Sequence, residues 1–197
     1  GKHAELVGLL AGQIEVLARP PEIADVVEDA DTLIGNARLK AEAIMASTGE
    51  AALADDTGLE VDALGGAPGV HSARYAGIEH DDDRNVAKLL HEMADVPDGD
   101  RAARFRTVLV LCTPDGRELV TEGVAEGRIA TRRSGVDGFG YDPVFVPDQG
   151  ERRTFAEMSR ADKQAISHRG RALDALLEAL AAGLDPVGTG DADLQNG

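Results

Sequence analysis

Phe105-Arg106-Thr107-Val108-Leu109-Val110-Leu111-Cys112, followed by Thr113-Pro114-Asp115-Gly116 and Glu118 to Glu122, is the stretch on which the fold turns. Val and Leu dominate the first eight residues and fit a pleated, half-buried surface. Pro114-Asp115-Gly116 is turn chemistry, with proline presetting φ and glycine tolerating positive φ. The spacing therefore predicts an antiparallel return over Glu118 to Glu122, continued by Gly127 to Arg132. Upstream, Ala51 to Ala54 reads as a buried strand, Asp55-Asp56-Thr57-Gly58 as an interruption, and Leu59 to Leu64 as an alternating strand. Gly65 to Gly69 is a tight loop. Downstream, the glycine-rich loop Gly135 to Gly140 precedes the apolar segment Val144-Phe145-Val146.

Helical periodicity flanks these strands. Thr32 to Thr48 has a stripe of Leu33, Ala37, Ala41, Ile44 and Met45, with Asp31 or Thr32 as N-cap and Gly49 as terminator. Asp81, Asp82 and Asp83 start a helix to about Ala94, with Val86, Leu89, Leu90 and Met93 inward. A last helix over His168 to Ala182 buries Leu173, Leu176, Leu177 and Leu180. Near the start, Lys2 to Leu10 reads as helix and Ile14 to Ala18 as a short strand, before Arg19-Pro20-Pro21 breaks the chain. Strands and helices without a regular βαβ rhythm predict an α/β fold with a mixed sheet. Residues 1–183 are expected to form one domain, and 184–197, poor in apolar residues, a flexible tail.

The 197 residues are enough to bury a substantial core without staples. A single cysteine, Cys112, allows no internal disulfide. No apolar run reaches the roughly 20 residues of a membrane span, and Gly1-Lys2-His3-Ala4-Glu5 lacks a signal peptide's apolar segment. The expectation is a cytoplasmic protein without membrane partners. A formal charge of −16 disfavours nucleic acid as a partner. An anionic small substrate would need a local cationic pocket or a metal.

Three constellations could carry chemistry. In Asp55-Asp56-Thr57-Gly58-Leu59-Glu60, two adjacent carboxylates follow a buried strand. Neighbours on a strand point to opposite faces, and a carboxylate there is costly unless paired, bonded or on a metal; the same residues also make good turn chemistry. Gly135-Val136-Asp137-Gly138-Phe139-Gly140-Tyr141-Asp142-Pro143 places two of the chain's six aromatics among glycines. It is either a platform for stacking a base or a loop anchored in the core. In Lys163-Gln164-Ala165-Ile166-Ser167-His168-Arg169, Ser167 can cap the last helix. That leaves His168 and Arg169 in a first turn that disfavours cations, a cost that a bound anion would offset.

Together these stretches resemble a known family. Ala54 to Val70 with Ser72-Ala73-Arg74-Tyr75, then Gly138-Phe139-Gly140-Tyr141-Asp142-Pro143, then Ser167-His168-Arg169-Gly170 with Lys163 upstream, resemble the three motifs of the Ham1/RdgB-type nucleoside triphosphate pyrophosphatases, the inosine/xanthosine triphosphatases. The resemblance covers nearly the whole chain. It implies an elongated α/β fold with a long mixed sheet and two lobes around a central cleft, a homodimer, and dependence on Mg²⁺. It also implies hydrolysis of ITP, dITP and XTP to the monophosphate and pyrophosphate, which cleanses the nucleotide pool.

By position, the resemblance makes Asp56 the catalytic acid-base residue and a metal ligand, and Glu28 the second acidic ligand. It makes Thr57 a hydroxyl for phosphate, Phe139, Gly140, Tyr141 and Asp142 the base-side loop, and Lys163, His168 and Arg169 further substrate contacts. Family members open with a strand and a Ser/Thr-x-x-Asn-x-x-Lys phosphate loop. Only its lysine is matched, by Lys2, so the strand and the Asn are expected to be missing here, and Gly35 stands where the family has Glu. The competing readings are a nucleotide-binding protein with little turnover and a Mg²⁺-dependent pyrophosphatase of other nucleotides.

Overall fold

A computed structural model describes residues 17–77, 81–182 and 187–188. The sheet comprises β1 (Ala52–Val61), β2 (Pro68–Gly69), β3 (Ala102–Cys112), β4 (Arg117–Ile129), β5 (Phe145–Pro147) and β6 (Val187–Gly188). Its order is β2-β1-β3-β4-β5, with β6 on β4. The helices are α1 (Leu33–Thr48), α2 (Asp82–Glu92), α3 (Arg160–Ile166) and α4 (His168–Ala181).

The α/β expectation holds. Among the described residues, however, every strand pair is antiparallel, where the sequence pointed to a mixed sheet. The chain leaves β1 at Val61 and returns to β3 at the same end, where Val61 pairs with Ala103. A parallel pair would need a crossover to the opposite end. The hairpin between β3 and β4 is as read, with Gly116 at φ 84° and its N–H donating to the Thr113 carbonyl at 2.9 Å. β4 is 13 residues long, about 44 Å at 3.4 Å per residue, a long strand as expected.

Three boundaries differ from expectation. Asp55-Asp56-Thr57-Gly58 does not interrupt β1, because its backbone pairs residue for residue with Leu109 to Arg106 of β3. The alternating Leu59 to Leu64 stays extended only to Val61 and then turns as a short 3₁₀ segment, Asp62–Leu64, closed by Gly65 at φ 63°. A seven-residue helix, α3, precedes the last one, capped by Ser159, which accepts from Asp162 N at 3.1 Å. The helix read over Lys2 to Leu10 lies outside the described residues, as do residues 14–16 of the expected first strand; Leu17 and Ala18 belong to no strand. The expected tail also lies outside them, apart from Val187 and Gly188, which pair with β4.

The two faces of the sheet are covered unequally. At one end α1 packs Leu33, Ala37 and Ala41 on Ala54, Val108, Val110 and Cys112. On the opposite face α4 packs Ala172, Leu173 and Leu176 on Leu109. At the other end the α4 face carries a larger core, in which Leu59, Val61, Phe105 and Ile129 meet Val86, Leu89 and Met93 of α2 together with Phe145 and Phe155. Between these two apolar masses, the β1, β3 and β4 positions on the α4 face are Asp55, Thr57, Thr107 and Gly123. Polar or small side chains there meet the first turn of α4.

Gly123 sets how closely α4 approaches. A Cβ at this position would collide with the His168 carbonyl oxygen and the Ala172 amide nitrogen, both backbone atoms that cannot swing aside. Gly123→Ala should cost about 1–3 kcal/mol, the usual range for overpacking. The check is urea denaturation, with a lower midpoint expected at unchanged m-value.

Candidate active site

Strand alternation divides Asp55-Asp56-Thr57 between the two faces of β1. Asp56 faces α1 and is 9% exposed. Lys40 Nζ donates to its Oδ1 at 3.0 Å and Asn36 Nδ2 to its Oδ2 at 3.3 Å. Asn36 and Lys40 are one helical turn apart on α1, whose N-cap Thr32 accepts from Gly35 N at 3.1 Å. Lys40 Nζ is also 3.4 Å from Glu28 Oε1, so two carboxylates converge on one ammonium. Burial raises the Asp56 pKa above the ordinary carboxylate value; Lys40 opposes the shift and Glu28 adds to it.

Asp55 and Thr57 face α4. Arg169 Nη2 lies 3.1 Å from Asp55 Oδ2 and 3.4 Å from Thr57 Oγ1, and Thr57 Oγ1 is 2.7 Å from Thr107 Oγ1. Ser167 caps α4 as read, accepting from Gly170 N at 3.1 Å. The Asp55 carboxylate supplies negative charge beside the cationic first turn, the role the sequence reading gave to an anion.

The glycine-rich loop reaches the same place. Phe139 is half exposed, with Lys163 Nζ 4.8 Å and the Arg169 guanidinium 5.9 Å from its ring centroid. Buried Asp142 anchors the loop: its Oδ2 accepts from Lys163 Nζ at 2.5 Å and from Phe139 N at 2.9 Å. Gly138, at φ 84°, is required because a Cβ would strike that carboxylate. Gly140 N donates to Asp82 Oδ2 at 2.7 Å. Tyr141 is buried in the core, its hydroxyl donating to the Ser72 carbonyl at 2.9 Å, and burial raises its pKa. His168 is 5% exposed and stacks on Phe105 with centroids 4.6 Å apart.

The structure thus brings Glu28 and Asp56 together on one face, and Thr57, Phe139, Gly140, Asp142, Lys163 and Arg169 on the other. Tyr141 and His168 are packed beneath the second group. Lys2 lies outside the described residues. Lys40, Asn36 and Thr107 join the site without having been singled out, and Asp55, read as one of two adjacent carboxylates, joins it as the partner of Arg169. Asn36 and Lys40 carry a readable signal, since polar residues four apart flank the Ala37–Ala41 stripe. Thr107 carries none, because only β1–β3 register places it opposite Thr57. Among the described residues no three His, Cys, Asp or Glu side chains form a metal cluster. Glu28 and Asp56 are two hard oxygen donors already directed at one cation. That suits a divalent ion completed by phosphate oxygens and water.

Asp142 generates a pH test. Burial raises its pKa, against the pull of Lys163 and the Phe139 amide. The folded state therefore binds its proton more tightly than the unfolded state does. The associated stability is present below the ordinary carboxylate pKa of about 4 and is lost as pH rises through the raised value. Asp142→Asn should lose none of it, so the stability of the variant relative to the parent chain should rise between pH 4 and 7. Thermal melts of both proteins across that range provide the check.

Residues 1–179 match the model of the Ham1 family. A dITP/XTP pyrophosphatase from Desulforamulus reducens is 48% identical over 184 residues, covering 91% of this chain and 90% of that protein. One from Symbiobacterium thermophilum is 47% identical over 186 residues, covering 94% and 92%. The chain spans only 54% of the length of two Streptococcus agalactiae dITP/XTP pyrophosphatases that it matches at 48% identity over 175 residues, 88% of this chain. Among solved structures, a HAM1 protein from Coxiella burnetii superposes with a TM-score of 0.85 at 40% identity, covering 92% of this chain and 93% of that one. The Mycobacterium abscessus nucleoside-triphosphatase / dITP/XTP pyrophosphatase superposes with a TM-score of 0.74 at 45% identity, covering 91% and 94%. With the motifs, the sheet and the matched length in agreement, this chain belongs to the Ham1 family.

Proposed function

We propose that the chain hydrolyses deaminated purine nucleoside triphosphates (ITP, dITP and XTP) to the monophosphate and pyrophosphate. The observation that carries the reading is the split of one tripeptide. Asp56 joins Glu28 and Lys40 on one face of β1, while Asp55 and Thr57 join Arg169, Lys163 and Phe139 on the other. Carboxylates and an ammonium suited to metal and phosphate thus lie one residue from an aromatic and cationic platform suited to a purine. The names of the relatives support the same substrate class.

The chemical problem is attack by water on the α-phosphorus of a highly charged triphosphate, where charge neutralisation and positioning dominate. Glu28 and Asp56 would hold Mg²⁺, which supplies charge neutralisation at the phosphates when bound. Asp56, held by Lys40 and Asn36, is the proton acceptor for the attacking water. Lys40, beside both carboxylates, faces the phosphates, with Lys2 as a further phosphate contact. Phe139 stacks on the base, with Gly140, Tyr141 and Asp142 shaping its loop. Lys163 and Arg169 form the polar side of that pocket, with His168 packed beneath them against Phe105. A donor aimed at the base would satisfy the C6 oxygen of hypoxanthine or xanthine and leave the amino group of adenine mismatched, at about 1–3 kcal/mol per buried group. The homodimer and the cytoplasmic setting belong to the same proposal, the first resting on the resemblance and the second on the composition of the sequence. No helix among the described residues is long and apolar enough to cross a membrane.

The deciding experiment is a nucleotide panel with Mg²⁺, measuring pyrophosphate and orthophosphate separately. Pyrophosphate from ITP, dITP and XTP, with little from ATP, is expected. Binding without release would favour a non-catalytic nucleotide binder, and preference for pyrimidine or common purine nucleotides would overturn the substrate assignment. Asp56→Asn should lower kcat by at least about 100-fold, the lower bound for general acid-base catalysis. Glu28→Gln should raise the Mg²⁺ concentration at half-maximal rate. Phe139→Ala should weaken binding of dITP by about 1–3 kcal/mol, the range for base–aromatic stacking, which calorimetry on the metal-free protein would read directly.

A further inference from the structure

Glu28 lies in a stretch, residues 24–30, with neither helix nor strand, yet its carboxylate is directed at the Lys40 ammonium that it shares with Asp56. Two side chains hold the backbone around it. Asn36 Oδ1 accepts from Ala30 N at 3.0 Å, a tie that comes from α1. Arg74 Nη2 donates to the Glu28 carbonyl oxygen at 3.0 Å, a tie from a residue 46 positions further along the chain. Arg74 ends the 3₁₀ turn Ser72–Arg74. That turn is fixed from several directions. Ser72 Oγ accepts from Leu59 N at 2.8 Å and donates to the Gly69 carbonyl at 2.6 Å. The Ala73 carbonyl accepts from Asn85 Nδ2 of α2 at 3.2 Å, and Asn85 Oδ1 accepts from Ala76 N at 2.7 Å. The Tyr141 hydroxyl donates to the Ser72 carbonyl, which joins the turn to the glycine-rich loop as well.

We propose that Arg74 is a positioning residue for the metal site: by holding the Glu28 carbonyl on this rigid turn, it keeps the Glu28 carboxylate turned towards Asp56, where the two would share a divalent ion, and so raises divalent-metal affinity without touching the metal. The inference rests on the reading of Glu28 and Asp56 as ligands. It makes a prediction opposite in sign to simple electrostatics. Removing a guanidinium near a divalent cation removes repulsion and should tighten binding; removing a support for a ligand should weaken it.

The test uses Mn²⁺ as the probe, with free ion measured by electron paramagnetic resonance on the nucleotide-free protein, so that turnover is not the readout. Arg74→Met should weaken Mn²⁺ binding about tenfold, the lower end of the range for supports of metal ligands. Arg74→Lys retains a cationic donor and should stay close to the parent chain. Glu28→Gln should weaken binding on its own, and Arg74→Met added to Glu28→Gln should weaken it no further, because both act through one carboxylate. Melting temperatures report whether each variant folds; should Arg74→Met fail, Arg74→Gln, whose shorter arm cannot span the distance, must show the same loss. Unchanged or tighter Mn²⁺ binding in the folded Arg74 variants, with weaker binding in Glu28→Gln, overturns the role of Arg74 and leaves the metal assignment standing. Additive losses in the double variant also overturn it. An unaffected Glu28→Gln overturns the metal assignment and this inference together.

Discussion

The pairing of β1 with β3 is the constraint on which the site depends. Ten consecutive residue pairs, from Ala52 with Cys112 to Val61 with Ala103, hold β1 extended through its charged centre. Because the backbone cannot turn there, side-chain alternation sends Asp56 to α1 and its neighbours Asp55 and Thr57 to α4. A one-residue slip would exchange the faces and would also expose Leu59 and Val61, which are fully buried. The same apolar packing that fixes the register therefore fixes which carboxylate meets Lys40 and which meets Arg169.

An acidic chain can keep carboxylates near its core only if cations are delivered to them. Lys40 serves Asp56 and Glu28, Arg169 serves Asp55, and Lys163 serves Asp142. Each pair joins separate elements of the chain, and except for half-exposed Glu28 the side chains concerned are largely buried, so breaking one of the buried pairs leaves an uncompensated charge. Both Asp56 and Asp142 nevertheless have raised pKa values, burial outweighing the nearby cation in each case.

The same logic explains the distribution of structural detail. The sheet ends are apolar and are closed by α1, α2 and α4, while the middle of the α4 face is lined by Asp55, Thr57, Thr107 and Gly123. Small or polar side chains at the middle keep the two apolar masses apart, and Gly123 lets the first turn of α4 settle directly on the strand. The cationic start of α4, unfavourable for an isolated helix, is balanced by Asp55.

Local chemistry alone was enough to read the caps at Ser167 and Gly49, the turn at Pro114-Asp115-Gly116, the apolar stripe of α1 and the three motifs, because each is encoded within a few consecutive residues. Resemblance supplied Glu28 and Asp56 as partners, and the fold brings them to one ammonium. The sequence misread Asp55-Asp56-Thr57-Gly58 as an interruption, since its turn propensity was overridden by pairing with Val108 and Leu109. The antiparallel pairing of β1 with β3, the place of Lys40 between two carboxylates, Thr107 opposite Thr57 and the hold of Arg74 on Glu28 all required the tertiary structure. These contacts join residues 12 to 50 positions apart or more, and no local pattern of side chains specifies which distant backbone or charge will lie opposite.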